Sequence, residues 1–356
     1  MKKLIVHIGY PKTATSTLQK NVLIPLHRQR RLNYLGEETA FDMGALHHDS
    51  KFVKNIILGG PDELTFAYCV PSETLEHYRG KGIDPARRLA SNKGFLSAFL
   101  KEEMINVLSF ETLLMPYRAV TAWTDFPRKL HDALPTDRTD VQIVITFRNQ
   151  AALMESLFFE KSAGLYHRSV FSTPRQFYFE DAPGSTLRDA EQVNIFDFLT
   201  TLAAYEDVFG KDNIHVLFYE DILERPEDYF DTWAKLLDVP ASEVSTLFTE
   251  QPKSRVSSAG KDHFRLRVSA FDYLLISKRV SGRAPRGDGG GKSFAMRIAG
   301  ACKRLPLVSR WKVDVKIPKL TQCEKDAIYR HFRESNAEAA KIYDLDATRL
   351  KEYGYL

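Results

Sequence analysis

The sequence predicts an α/β fold: a central parallel sheet with helices on both faces, helical insertions and a helical C-terminal region. Two observations carry this reading. Leu4-Ile5-Val6-His7-Ile8, Val141-Gln142-Ile143-Val144-Ile145-Thr146-Phe147 and Ile214-His215-Val216-Leu217-Phe218-Tyr219 are short apolar runs rich in β-branched residues. Such continuity suits strands buried on both faces. Each run is followed by a break and then a helix-forming stretch, and strands alternating with helices imply parallel pairing.

The elements follow in order. The first run is broken by Gly9-Tyr10-Pro11, and Thr15 to Leu23 reads as a helix opening on hydroxyl caps. Residues 37–104 form an insertion with Gly59-Gly60-Pro61 and short amphipathic, helical stretches. Ile105 to Phe110 is the next strand, and Ala122 to Leu134 a helix stopped by Pro135-Thr136-Asp137. Val141 to Phe147 is the strongest strand; Arg148-Asn149 follow it, then a helix from Ala151 to about Ala163. Residues 164–190 are aromatic and polar with two prolines and read as a surface loop. Ile195 to Phe209 is a helix, Ile214 to Tyr219 a strand, and Pro226 to Leu237 a helix with proline in its first turn. Lys278 to Ser293 is Gly-rich and basic, a flexible segment. Thr321 to Tyr355 is largely helical. Together these predict a single domain over 1–356, with its core in about 1–36 and 105–260 and a helical C-terminal part in 294–356.

Composition narrows the function classes. The 356 residues are 44% hydrophobic and 27% charged, ordinary for a globular protein. Fifty basic residues against 46 acidic ones give a net charge of +4, too mild to argue for nucleic acid but suited to an anion held at a local basic site. Cys69, Cys302 and Cys323 are odd in number and far apart, so neither a disulfide framework nor a metal site is expected. The expected compartment is reducing and cytoplasmic, with peripheral membrane association as the alternative. Leu4-Ile5-Val6 is stopped by His7, too short for a signal peptide, and no run approaches the roughly 20 apolar residues of a membrane span. Oligomeric state is left open.

The chemistry concentrates in Pro11-Lys12-Thr13-Ala14-Thr15-Ser16-Thr17-Leu18-Gln19. A strand, a tight turn and a helix N-terminus form an anion site, where backbone N–H groups and the helix dipole favour negative charge. Thr13, Thr15, Ser16 and Thr17 add hydroxyls, and Lys12 a positive charge. The loop is not the Gly-x-x-x-x-Gly-Lys-Ser/Thr nucleotide loop, because no glycine lies beside Lys12. The later Gly289-Gly290-Gly291-Lys292-Ser293 fails too, having Arg286 where the first glycine belongs. The plain alternative is a βα turn with capping hydroxyls.

The loop resembles the 5′-phosphosulfate loop of the sulfotransferase family, whose members use 3′-phosphoadenosine 5′-phosphosulfate (PAPS) and share Pro-Lys-Thr/Ser-Gly-Thr-Thr. The chain departs from that pattern at Ala14 and at Ser16, where glycine and threonine are usual. Ser16 keeps the hydroxyl; Ala14 fits if the backbone there avoids positive φ. The family also pairs a strand-ending arginine with a serine eight residues on, both on the nucleotide 3′-phosphate, and here Arg148 and Ser156 have that spacing. Phe218-Tyr219-Glu220-Asp221, before the helix opened by Pro226, resembles a third family stretch and implies that Tyr219 lies near the adenine. Lys253-Ser254-Arg255-Val256-Ser257-Ser258 is similar to a late loop over the nucleotide and implies a donor contact by Arg255. The resemblance runs in order from residue 4 to about 260.

It implies metal-free sulfuryl transfer from PAPS to a hydroxyl, Lys12 stabilising the leaving phosphate and a glutamate or histidine acting as base. Glu111, just after the second strand at Ile105 to Phe110, is the first candidate base, Glu37 the second, then His47 and His48. The loop is more similar to those of carbohydrate-modifying members, which implies a carbohydrate or lipid-linked glycan acceptor. The aromatic residues between Tyr166 and Phe179 are candidates to stack on sugar rings or enclose an apolar alcohol. Two other classes stay open: an ATP-dependent small-molecule kinase, and a non-catalytic nucleotide-binding protein.

Overall fold

The computed structural model describes residues 2–10, 12–35, 100–109, 124, 126–134, 139–167, 173–180, 186–189, 191–249, 263–269 and 312–356. Nearly all of the insertion lies outside these residues, as do the basic segment 278–293, Glu37, His47, His48, Glu111 and Arg255. The chain divides into two compact units. The first comprises Met1–Asn149, Asn194–Arg255 and Phe332–Leu356, and the second Gln150–Val193 and Val256–His331.

The first unit holds the predicted parallel sheet. Its strands are β1 (Lys2–Gly9), β2 (Leu32–Tyr34), β3 (Ile105–Ser109), β4 (Thr139–Phe147) and β5 (Ile214–Phe218). They pair in parallel in the order β2-β3-β1-β4-β5. β1 is central, and Leu4, Ile5, Val6 and Ile8 are wholly buried. This explains the continuous apolar run: a strand covered on both faces has no side for polar residues. Side chains alternate across the sheet. On one face Ile5 and Val144 meet the helices Pro226–Leu237 and Ala241–Thr249 and the helical run after β1, forming a core around Trp233. On the other face Phe147 stacks on Phe198, the first residue of the helix Phe198–Phe209, with ring centroids 3.9 Å apart.

The helix after β1 begins at Thr15 as expected, but it is not uniform. Thr15–Leu18 and Ile24–Arg28 are α-helical, and Gln19–Leu23 between them is a π-helical turn. Pro25 has no N–H for the carbonyl four residues back, and the helix widens just upstream of it.

The second unit contains the helices Gln150–His167 and Pro174–Tyr178 and an antiparallel pair, β6 (His263–Ser269) and β7 (Lys312–Pro318). Phe159 stacks on Phe264 of β6, with ring centroids 4.4 Å apart. The long helix Gln322–Ile342 opens on a capping box: Thr321 Oγ1 accepts from the Glu324 N–H and Glu324 Oε2 accepts from the Thr321 N–H.

Some expectations change. The surface loop at 164–190 is partly structured. The helix from Gln150 continues to His167, and Thr173 caps a second helix that begins at Pro174. Phe177, Tyr178 and Phe179 are buried, and the Tyr178 hydroxyl donates to the Met154 carbonyl. These aromatics are core residues, since burying so much apolar area outweighs a wet platform; they are not available to stack on a sugar. The short β2, the helix Ala241–Thr249 and the β6–β7 pair carried no strong periodic signal and were not expected.

Candidate functional site

The residues at the carboxyl ends of β1, β4 and β5 converge. The chain leaves β1 toward the β2 edge and leaves β4 in the direction of β5, the divergence that opens a ligand crevice in sheets of this kind.

The loop after β1 is set by its own side chains. Gly9 ends the strand, and a Cβ there would lie 2.2 Å from Thr15 Oγ1, so a bare backbone is required. Thr13 Oγ1 donates to the Tyr10 carbonyl at 2.6 Å and lies 3.2 Å from Thr15 Oγ1. Both threonines are buried, so in this structure their hydroxyls brace the loop from inside. Ser16 and Thr17 are half-buried, and the Thr17 and Leu18 N–H groups donate to the Ala14 carbonyl. Tyr10 anchors the base of the loop, its hydroxyl donating to the Ile195 carbonyl at 2.6 Å.

Lys12 and Ala14 both take positive φ, at 71° and 62°. Ala14 has φ 62° and ψ 14°, squarely left-handed, so the expectation that its backbone would avoid positive φ is corrected. The position has the conformation for which glycine is best suited. Alanine is accommodated because its side chain is a single methyl, and that methyl packs on the core around Leu18 and Trp233.

Arg148 and Tyr219 meet this loop. Arg148 Nη1 donates to the Lys12 carbonyl at 2.8 Å, and the guanidinium lies over the Tyr219 ring, 4.4 Å from its centroid. The Tyr219 N–H donates to the Phe147 carbonyl, which ties the end of β5 to the end of β4. Three segments distant in sequence thus place a lysine, an arginine and a tyrosine together. Ser156 is half-buried in the second turn of the helix Gln150–His167, in the second unit.

Below the loop lies a polar network that sequence reasoning missed. His7 is buried in β1, with Nδ1 2.9 Å from Ser109 Oγ and Nε2 3.3 Å from Thr146 Oγ1. Gln19 Nε2 donates to the Ser109 carbonyl and hydroxyl at 3.1 and 3.0 Å. Burial alone lowers the His7 pKa to about 3, so the imidazole is neutral, and Trp233 packs against it edge-on. A histidine inside an otherwise apolar strand was the available signal.

A second missed group surrounds Glu220. Glu220 Oε1 accepts from the Asn149 N–H and Oε2 from the Tyr355 hydroxyl, each at 2.9 Å. Burial raises the Glu220 pKa, and these bonds together with the nearby Arg148 charge oppose the rise. Asn149 Nδ2 donates to the carbonyls of Tyr353 and Gly354.

No protein-family model and no curated protein matches this chain. Among solved structures it is similar to a sulfotransferase from Alicyclobacillus acidocaldarius, with 14% identity, TM-score 0.35, and 67% of this chain and 81% of that one covered. It is also similar to mouse sulfotransferase SULT7A1 complexed with PAP, with 11% identity, TM-score 0.35, and 99% and 89% covered. A sulfotransferase domain from the curacin biosynthetic pathway has 11% identity and TM-score 0.35, with 85% and 98% covered. Likeness at this level decides neither fold nor function, which rest on the chain's own residues. Among the described residues, no helix is long and apolar enough to cross a membrane.

Proposed function

We propose that the chain is a sulfotransferase that takes a sulfuryl group from PAPS and delivers it to a hydroxyl acceptor. One observation carries the reading: Arg148, Lys12 and Tyr219, which the family resemblance assigns to one nucleotide, form one cluster at the sheet's carboxyl ends. The cluster fits the donor chemically. A guanidinium offers five N–H donors in a planar fork suited to a phosphate, and only Nη1 is engaged by the Lys12 carbonyl among the described contacts. An aromatic ring beside it suits a base, and the loop backbone with Ser16 and Thr17 suits the 5′ group.

Bound there, the donor supplies an activated sulfuryl group. Lys12 neutralises the charge that grows on the departing phosphate oxygen, and Arg148 holds the 3′-phosphate so that the donor is aligned for in-line attack. The acceptor hydroxyl forms the new S–O bond as the S–O bond to phosphate breaks. Its proton goes to a carboxylate or imidazole, for which Glu111, Glu37, His47 and His48 are the candidates. A carbohydrate or lipid-linked glycan is the proposed acceptor class, on the likeness of the loop, with no metal taking part.

The test has two arms. Adenosine 3′,5′-bisphosphate should raise the melting temperature, and ATP with Mg²⁺ should not; the reverse result points to a kinase and sinks the proposal. Labelled sulfate from PAPS should reach one of a panel of glycan and lipid-linked acceptors. Lys12→Ala should lower that turnover by about 100-fold or more while bisphosphate affinity changes only a few-fold. Donor binding without turnover on any acceptor would favour a non-catalytic nucleotide-binding protein.

A further inference from the structure

We infer that Glu220 and Tyr355 are positioning residues that keep Arg148 available to the nucleotide 3′-phosphate. The inference rests on the sulfotransferase reading and extends it to two residues to which the resemblance gives no role.

Arg148 stands at the end of β4 with the half-buried carboxylate of Glu220 nearby, a hazardous arrangement for an anion-binding arginine. A free Glu220 would pair with the guanidinium and compete with phosphate for the same fork. The structure prevents this by occupying both carboxylate oxygens with other donors. Oε1 takes the Asn149 N–H and Oε2 the Tyr355 hydroxyl. Among the described residues no ion pair joins Glu220 to Arg148, whose Nη1 goes to the Lys12 carbonyl.

Tyr355 is itself held firmly. It is 2% exposed, its ring lies 5.4 Å from that of Phe218 and its carbonyl accepts from Asn336 Nδ2. The residues before it fasten the same turn. Asn149 Nδ2 donates to the Tyr353 and Gly354 carbonyls, and Gly354 takes φ 76°. The Tyr353 hydroxyl donates to Asp221 Oδ1 at 2.7 Å, and Arg349 pairs with the same oxygen at 2.8 Å. Segment 349–355 therefore forms a latch across the ends of β4 and β5. Removing the Tyr355 hydroxyl would free one carboxylate oxygen to turn toward Arg148.

The experiment compares binding of adenosine 3′,5′-bisphosphate with that of AMP, which lacks the 3′-phosphate, by calorimetry. Wild type should prefer the bisphosphate, and Arg148→Ala should lose the preference. Tyr355→Phe should lower the preference by about 10-fold through weaker bisphosphate binding, with AMP affinity within about twofold. Glu220→Asp, too short to reach both donors but still charged, should do the same and serves if Tyr355→Phe does not fold. The double variant Tyr355→Phe/Glu220→Gln, with no charge left to compete, should regain most of the preference. Equal losses for both nucleotides, or no rescue in the double variant, would overturn the inference and leave a merely structural latch. No preference in wild type would instead remove the sulfotransferase reading on which it stands.

Discussion

Two backbone positions decide whether the loop after β1 can exist. At Gly9 the limit is space, since an added Cβ would meet Thr15 Oγ1 at 2.2 Å. Gly9→Ala should cost about 1–3 kcal/mol, the range for overpacking a fitted site. Adding Thr15→Ala should recover part of that loss, because it removes the clashing oxygen; urea titrations of the two single variants and the double would measure the coupling. At Ala14 the limit is conformation, and three effects compete. Left-handed backbone costs a non-glycine residue about 1–2 kcal/mol. Glycine would relieve this, but it would lose the packed methyl, about 0.8 kcal/mol if fully buried. It would also add about 0.4–1 kcal/mol of unfolded-state entropy. These nearly cancel, so Ala14→Gly should leave stability within about 1 kcal/mol of wild type in the same titrations. That balance is how a chain can keep alanine where glycine is conformationally better suited.

Within elements, β1 shows what could be read in the sequence and what could not. Its apolar run, like those of β4 and β5, announces a strand, and all three stand in the sheet; β1 and β4 are largely buried as expected, whereas β5 closes one edge and is only half-buried over Ile214, His215 and Val216. The three-residue β2 and the pair β6–β7 escaped because short or half-polar strands take their stability from partners that no local pattern reveals. Lys12, Arg148 and Tyr219 could be singled out because each follows a strand run within a stretch that resembles a family motif; the fold adds that they lie together. The bonds made by His7 and Glu220 were not legible, because they join residues up to 139 positions apart. His7 also gives the strand a pH response. Its folded pKa, about 3, lies below the ordinary histidine value of 6.5, so the unfolded chain binds its proton first. The contribution of His7 to stability is therefore complete above pH 6.5 and declines as pH falls toward 3, with a slope of up to about 1.4 kcal/mol per pH unit. His7→Gln should be less stable at neutral pH, because the pairing with Ser109 and Thr146 is altered, yet lose less on acidification between those values. Parallel acid-side slopes for the two proteins would show that His7 is not the titrating group.

For the whole molecule, the loop, Arg148, Tyr219 and the 349–355 latch all belong to the first unit, although their segments are spread along the chain. A ligand held by such a cluster binds the folded unit and not the unfolded chain, where those segments are apart. Ligand binding must then appear as stability: at one hundred times its dissociation constant a ligand adds about 2.7 kcal/mol. Adenosine 3′,5′-bisphosphate should therefore shift the unfolding midpoint of wild type upward with the logarithm of its concentration. Arg148→Ala would remove the charge-assisted contact proposed above, so its curve should keep the same logarithmic form but be displaced to higher concentration, by about tenfold or more. The displacement should shrink with added salt if the guanidinium acts as an exposed charge, and persist if it acts as a partly desolvated fork. Its half-buried setting beneath the Lys12 carbonyl and against the Tyr219 ring argues for persistence. Thermal titrations of both proteins at low and high salt would decide between the two, and a wild-type midpoint indifferent to the bisphosphate would remove the site itself.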